Sequence, residues 1–159
     1  MDEEELWNGL EKALKGAFEQ FRDTRIVEGE NLKKDIVEKL DEMLELVGCV
    51  EKRSPEIVAE YRAKLEAKVK ELLEDVQIDE GRLATEVVIF ADKICTDEET
   101  VRLRSHIEQM KATLGLAEGI GRKLDFIAQE MNREANTILS KANDLETSNY
   151  AIDLKTGIE

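Results

Sequence analysis

Two kinds of residue that shape β-rich domains are scarce in this sequence. Aromatic residues make up 4% of the 159 residues, and there is one proline beside nine glycines. A β-sandwich or β-barrel usually needs more turn residues and more aromatic side chains in its core. The composition therefore predicts an all-α fold, with long amphipathic helices in a helical bundle and coiled-coil-like segments.

Cysteines and long apolar runs are also few. Cys49 and Cys95 have no partner at the spacing of metal ligands, so we expect both to be reduced and buried. The longest apolar run, Val87 to Ala91, is far shorter than the roughly 20 residues that span a bilayer, and no basic-then-apolar leader opens the chain. These absences predict a soluble, cytoplasmic protein with no membrane partner.

Acidic residues outnumber basic residues in this sequence. The formal net charge is −14, from 37 acidic and 23 basic residues. A uniformly acidic surface repels phosphates, which argues against nonspecific binding of nucleic acid through bulk charge. A locally basic groove stays possible, and acidic clusters can hold divalent cations.

The first half of the chain has the apolar spacing of helices. One stripe runs from Leu6 to Phe21 and a second from Leu32 to Val47, and the step between them leaves a single long helix possible. Ser54 and Pro55 resemble an N-cap and a first-turn proline, which predicts a new helix that ends near Asp75. We therefore expect residues 1–75 to form a long coiled-coil-like segment and residues 76–159 a C-terminal helical domain.

The second half is predicted to hold three helices. Residues 82–95 fit either a strand or a helix, and helix is the interpretation chosen. Thr96 and Glu99 match a capping box for a helix that runs to about Leu114. Glycines 115, 119 and 121 mark a turn before a helix that begins near Arg122 and continues past Ser140. No Gly-Lys-Ser/Thr follows these glycines, so they do not form a phosphate loop.

Four stretches carry a resemblance to a known family. Residues 121–144, from Gly-Arg-Lys-Leu-Asp-Phe to Lys-Ala-Asn-Asp, resemble the signature of the YicC/YloC family. Residues 82–87 followed by 91–93, and residues 98–108, resemble its C-terminal region, and residues 3–8 resemble its central helical segment. The family's separate N-terminal half, with its Met-Thr-Gly-Phe-Gly type motif, has no counterpart here. The resemblance implies an endoribonuclease that acts on RNA, uses a divalent metal cation such as manganese or magnesium, and assembles as a ring-like homo-oligomer.

Acidic residues of the signature helix are the candidate metal ligands. Glu130 and Glu134 lie one turn apart, so both could face one cation, and Asp125 is a third candidate. Ordinary ion pairs within the helix are the alternative. His106 is the only histidine, and histidine suits proton transfer during cleavage, although it could equally ligate a metal and a lone histidine is more often structural. The candidate catalytic residues are thus His106, Glu130 and Glu134.

Basic and amide side chains are the candidate RNA contacts. Asp125, Gln129, Asn132, Asn136 and Asn143 form a polar stripe beside the apolar face of the signature helix, and the alternative to ligand binding is a polar helix interface. Basic groups could meet phosphate oxygens, although a solvated helix face explains them equally well. The full predicted RNA-binding set is Arg102, Arg104, Arg122, Lys123, Asn132, Arg133, Asn136 and Lys141.

A second functional class stays open. Long amphipathic segments and few aromatics also fit a non-catalytic helical module that builds the oligomer, with the chemistry elsewhere in the protein.

Overall fold

The computed structural model describes residues 2–73, 79–117 and 119–159. Within them the chain forms five helices and no strand, which confirms the all-α prediction: α1 (Glu3–Leu73), α2 (Glu80–Ile94), α3 (Asp97–Thr113), α4 (Gly121–Lys141) and α5 (Leu145–Ile158). The chain divides into two compact units, Met1–Glu38 and Lys39–Glu159. The predicted domain boundary at 75/76 and the predicted helix end near Asp75 both lie outside the described residues.

The first unit is the N-terminal part of α1. Its large apolar side chains are between 48% and 68% exposed, namely Leu6, Trp7, Leu10, Leu14, Phe18, Phe21, Ile26, Val27 and Leu32. The helical spacing predicted from Leu6 to Phe21 is confirmed, but the apolar stripe that it creates is open to solvent. We call Leu6, Leu10, Leu14 and Phe21 the N-terminal stripe.

The predicted helix start at Ser54 is wrong, because α1 continues through Pro55. A proline inside a helix removes one backbone hydrogen bond and costs about 3 kcal/mol. Two features of the second unit offset that cost. Val50 and Ile57 are buried on either side of Pro55, and the Arg53 guanidinium reaches past it to Glu60, at 2.6 Å from Nη1 to Oε1.

Helix α2 forms over the stretch that was ambiguous between helix and strand, so the choice of helix is confirmed. The Asp79 side chain accepts hydrogen bonds from the backbone N–H groups of Gly81 and Arg82, which caps the helix start. Phe90 then stacks on Tyr61 of α1, with ring centroids 3.7 Å apart. Helical spacing therefore gives α2 one face that packs on α1.

Helix α3 begins where predicted, but the predicted capping box does not form. Thr96 occupies the N-cap position without a side-chain capping hydrogen bond. Glu99, the intended partner, is buried and bonded instead to Lys141 of α4. A buried carboxylate is costly without a charged partner, and Lys141 provides one for Glu99.

Helices α4 and α5 form a hairpin, and α5 was not predicted as a separate element. Asp144 starts α5 by accepting a hydrogen bond from the Thr147 backbone N–H, and its other contact is with Arg53 of α1, at 3.2 Å from Nε to Oδ2. Ala151 and Leu154 of α5 are fully buried. The turn after α4 is thereby fixed, and with it the position of α5.

The core of the second unit is aliphatic and contains no cysteine. Its fully buried side chains include Val47 of α1, Leu103 and Ile107 of α3, and Ile138 of α4. Both cysteines are free, as expected, but Cys49 is exposed and Cys95 is half-buried, so the predicted burial is wrong. Among the described residues, no helix is long and apolar enough to cross a membrane.

Candidate functional site

A partly buried set of charged side chains joins α3 to α4. Arg102 donates from Nε to Glu134 Oε1 at 2.8 Å and from Nη2 to Glu99 Oε1 at 3.3 Å. Lys141 donates from Nζ to both carboxylate oxygens of Glu99, at 3.0 and 3.1 Å. We call Glu99, Arg102, Glu134 and Lys141 the α3–α4 charge network. Glu99 contacts Lys141, whereas the later α3 residue Arg102 contacts the earlier α4 residue Glu134. The two helices are therefore antiparallel.

The three predicted metal ligands do not come together. Glu134 is 5% exposed and held by Arg102, whereas Glu130 is exposed and lies 3.7 Å from Arg133 Nη1. Asp125 accepts a hydrogen bond from Gln129 at 3.0 Å. The described residues contain no group of three or more His, Cys, Asp or Glu side chains that could hold a metal ion. These ligands, as arranged, do not fit a divalent cation.

His106 lies on α3, one helical turn after Arg102, and is half-buried. Within the described part of the chain its imidazole has no hydrogen-bond partner, so neither ring nitrogen is committed to the fold. This residue lies on the helix that packs against α4, which carries Glu130 and Glu134.

Three of the predicted RNA-binding cations use their charge within the fold. Arg102 and Lys141 belong to the α3–α4 charge network. Arg104 donates to both carboxylate oxygens of Glu51, at 2.9 Å from Nε and 2.7 Å from Nη2. These hydrogen bonds lower the pKa of the Glu51 carboxyl below its ordinary value. Each of these cations would have to leave a carboxylate before it met a phosphate.

The other five predicted RNA-binding residues lie on α4 and are more open. Arg122, Lys123, Arg133 and Asn136 are exposed, and Asn132 is half-buried. Arg122 and Lys123 have no ion-pair partner within residues 2–73, 79–117 and 119–159. Of the predicted RNA-binding cations, those that neither lie on α3 nor belong to the α3–α4 charge network are therefore all on α4.

An open depression follows the exposed side of α4. It is lined by Gln129, Asn132, Arg133, Asn136, Thr137 and Ser140, which we call the α4 polar face. Lys155 of α5 reaches this face and donates to Asn136 Oδ1 at 2.6 Å. Two cations, three amides and two hydroxyls thus share one surface, a combination suited to phosphate oxygens and ribose hydroxyls.

Lys155, Thr137 and Ser140 were absent from the predicted site. Thr137 and Ser140 continue the line of Arg133 along α4 at helical spacing, so the sequence pattern could have included them. Lys155 could not be found in this way, because only the α4–α5 hairpin brings it beside Asn136.

Comparison with known proteins agrees with the resemblance found in the sequence. Residues 50–159 match the family described as "Endoribonuclease YicC-like, C-terminal". A protein of Clostridioides difficile (strain 630), named "Probable endoribonuclease YicC", is 44% identical over 159 residues, which cover 99% of this chain and 54% of that protein.

A Haemophilus influenzae protein with the same printed name is 32% identical over 132 residues, which cover 83% of this chain and 45% of that protein. The chain thus spans about half the length of the curated relatives that it matches. The chain belongs to the YicC-like endoribonuclease family, and it contains the C-terminal helical region of that family.

Proposed function

We propose that this chain supplies the RNA-contacting helical part of an endoribonuclease, with the α4 polar face and Lys155 as the contact surface. The observation that carries the proposal is the gathering of Arg133, Lys155 and three amides on one exposed surface of an otherwise acidic chain. Bulk charge of this sign repels RNA, so binding depends on places where several weakly paired cations and polar groups lie together.

Each group on this surface has a role that its chemistry suits. Arg133 is 74% exposed at its side chain and lies 3.7 Å from Glu130, so its guanidinium can donate two parallel hydrogen bonds to a phosphate. The Lys155 ammonium has a neutral partner, Asn136, which it can exchange for a phosphate without leaving a carboxylate unpaired. The amides of Gln129 and Asn132 can donate to and accept from ribose hydroxyls.

His106 is the proposed proton-transfer group. Its imidazole has no hydrogen-bond partner in the described chain, and Glu130 is exposed on the neighbouring helix α4. An imidazole near neutral pH can remove a proton from the attacking oxygen or return one to the leaving oxygen. Glu130 would orient the imidazole or share that proton.

A divalent cation remains part of the proposal for the whole protein only. Because Glu130, Glu134 and Asp125 do not fit such a cation as they stand, no step of cleavage is assigned to a cation held by them. Manganese or magnesium, if required, would supply charge neutralisation at the phosphate from ligands elsewhere in the assembled protein.

The test is RNA binding by this chain at several salt concentrations. Arg133→Gln and Lys155→Gln should each weaken binding and lower the slope of log Kd against log salt by about 1, since each removes one phosphate contact. Lys93→Gln on α2 is the matched control, because Lys93 is exposed and has no ion-pair partner among the described residues. If the slope is the same in all three variants and the parent, the proposed contact surface is wrong.

The second candidate function is assembly, and the N-terminal stripe favours it. A row of apolar side chains each about half exposed is the feature that paired helices bury. The proposed occupant is residues 2–34 of α1 of a second copy, because charge makes an antiparallel pair of these segments complementary. The acidic residues Asp2 to Glu5 would lie opposite Lys33 and Lys34 of the partner copy. In that register Phe21 would meet Ala17, a large side chain against a small one.

A further inference from the structure

Phe126 is an aromatic side chain in an unusual position. Helix α4 buries Ile127 and Met131, yet it leaves Phe126 60% exposed. The other aromatic residues of the unit Lys39–Glu159, namely Tyr61, Phe90 and Tyr150, are at most half-exposed. Phe126 is thus the one exposed aromatic ring in the described residues of this unit. Isolated exposed apolar residues are common, so the ring's position matters more than its exposure.

Helix geometry puts Phe126 in line with the α4 polar face. Positions 122, 126, 129, 133 and 140 follow one another at steps of three, four and seven residues, so they share one side of the helix. Arg122 lies one turn before Phe126, and Arg133 lies two turns after it. A ring with a guanidinium on each side along one exposed line has the arrangement by which proteins hold a single strand. The cations contact the backbone, and a base stacks on the ring.

From this arrangement we propose that Phe126 stacks on an unpaired RNA base, so that the α4 face binds single-stranded RNA in preference to duplex RNA. The inference rests on the proposed function and adds the substrate class to it. A base inside a duplex is already stacked on both sides, and its flat face cannot reach a ring on a helix surface. Only an unpaired base can be turned out onto Phe126. The neighbouring carboxylates Asp125 and Glu130 reduce the net positive charge along this side of α4. Stacking of a base on Phe126 therefore contributes more to RNA binding there than the charge of the arginines alone.

The test compares a short unstructured RNA with a duplex of the same sequence. Phe126→Leu keeps an apolar side chain of similar bulk but removes the ring, so it should bind the unpaired RNA roughly tenfold more weakly, with little effect on the duplex. The slope of log Kd against log salt should not change, because no phosphate contact is lost. Val88→Ala is the control, since Val88 is 59% exposed on α2.

A spectroscopic reading separates stacking from a change in fold. The chain contains a single tryptophan, Trp7, so the double variant Trp7→Phe with Phe126→Trp carries its one indole on α4. Stacking of a base on that indole should quench its fluorescence when unpaired RNA is added and leave it unchanged with duplex. The same variant should bind unpaired RNA at least as tightly as the parent.

The outcomes separate this inference from the proposed function. If Phe126→Leu binds unpaired RNA like the parent while Arg133→Gln still weakens binding, the stacking inference fails and the contact surface stands. If neither substitution weakens binding, the contact surface fails as well. If Phe126→Leu changes the sedimentation of the chain but not its affinity for RNA, the ring belongs to an interface between copies, and the stacking inference is overturned.

Discussion

Arg102 of α3 and Glu134 of α4 form an ion pair with 2.8 Å between Nε and Oε1, in which the Glu134 side chain is 7% exposed. Glu130, one turn earlier, has a side chain that is 51% exposed. Two carboxylates that look equivalent in the sequence therefore differ in environment. Glu134 belongs to the packing between α3 and α4, whereas Glu130 faces solvent and is accessible to a substrate.

This difference can be measured as stability. Glu134→Gln should lower the free energy of unfolding by about 1–2 kcal/mol, because it removes the charge that balances Arg102 in a buried position. Glu130→Gln should change it by less than about 0.5 kcal/mol, as exposed substitutions usually do. Urea denaturation of both variants and the parent is the measurement. Equal stabilities of the two variants would contradict the structural role given to Glu134.

A pH dependence follows from the Glu51–Arg104 pair. The hydrogen bonds that Arg104 donates lower the pKa of Glu51 below its ordinary value of 4.5 in the folded chain. In the unfolded chain the pKa returns to that value, so the unfolded chain binds more protons in acid. The pair therefore stabilises the fold fully above pH 4.5, and this stabilisation is lost as the pH falls through the lower, folded pKa.

Comparison with a neutral variant isolates this pair from the many other carboxylates. Glu51→Gln should be less stable than the parent at neutral pH, and the gap should close in acid. Glu45→Gln, an exposed position on the same helix without an ion pair in the described residues, should show no such convergence. A gap for Glu51→Gln that stays constant with pH would mean that the pair contributes nothing to the fold.

Most of the helices could be predicted from apolar spacing, and the errors have local causes. Spacing left α2 open between helix and strand, and α3 was predicted from a capping box that does not form, although the helix starts where predicted. Pro55 led to the wrong prediction of a helix start at Ser54. A proline in the first turn and a tolerated proline inside a helix look alike in a sequence until the packing on both sides is known. The predicted capping box with Glu99 was wrong for a similar reason. Its choice between the Thr96 backbone and Lys141 depends on a contact 42 residues away.

The candidate site could be predicted only where one helix supplies it. Arg133 and Asn136 were found because α4 carries both. Lys155 was missed because its place beside Asn136 depends on how α5 packs. Arg102 and Arg104 were included because a sequence gives the charge of a side chain but not the carboxylate that it meets. Helix spacing thus predicts which residues share a face of one helix, but not which residues of other helices they contact.

Self-association through the N-terminal stripe is the next expectation. Leu14→Glu introduces a charge into the middle of the stripe and should shift the chain toward monomer, while helix content is kept because Glu is a good helix former. Lys12→Glu, on the same helix outside the stripe, is the control. Sedimentation over a range of protein concentrations is the measurement. A parent chain that stays monomeric at high concentration would exclude the second copy as the occupant of this stripe.

His106 can be tested separately from RNA binding. In a full-length protein that carries this chain, His106→Asn should reduce cleavage by about 10²- to 10⁴-fold, the range typical of a lost general acid or base. The Kd for RNA should stay within error of the parent, because His106 is not part of the α4 polar face. Cleavage at the parental rate would return His106 to a structural role. A matched loss of binding and cleavage would mean that it positions RNA instead.

Divalent cations should affect cleavage and RNA binding differently. The described residues of this chain offer no set of three or more acidic, histidine or cysteine side chains for a metal ion, whereas the phosphate contacts proposed for Arg133 and Lys155 need none. Binding of RNA by this chain should therefore be the same in manganese and in excess chelator, provided that ionic strength is matched, since manganese also screens charge.

Cleavage by the longer Clostridioides difficile relative should disappear in chelator. The two proteins are compared on one labelled RNA, by filter binding for this chain and by gel for the relative. Loss of binding by this chain in chelator would mean that a cation joins its acidic side chains to phosphate, and the α4 polar face would then need a metal that its present arrangement does not hold. Cleavage that persists in chelator would remove the metal from the proposal altogether and leave proton transfer by His106 as the central chemistry.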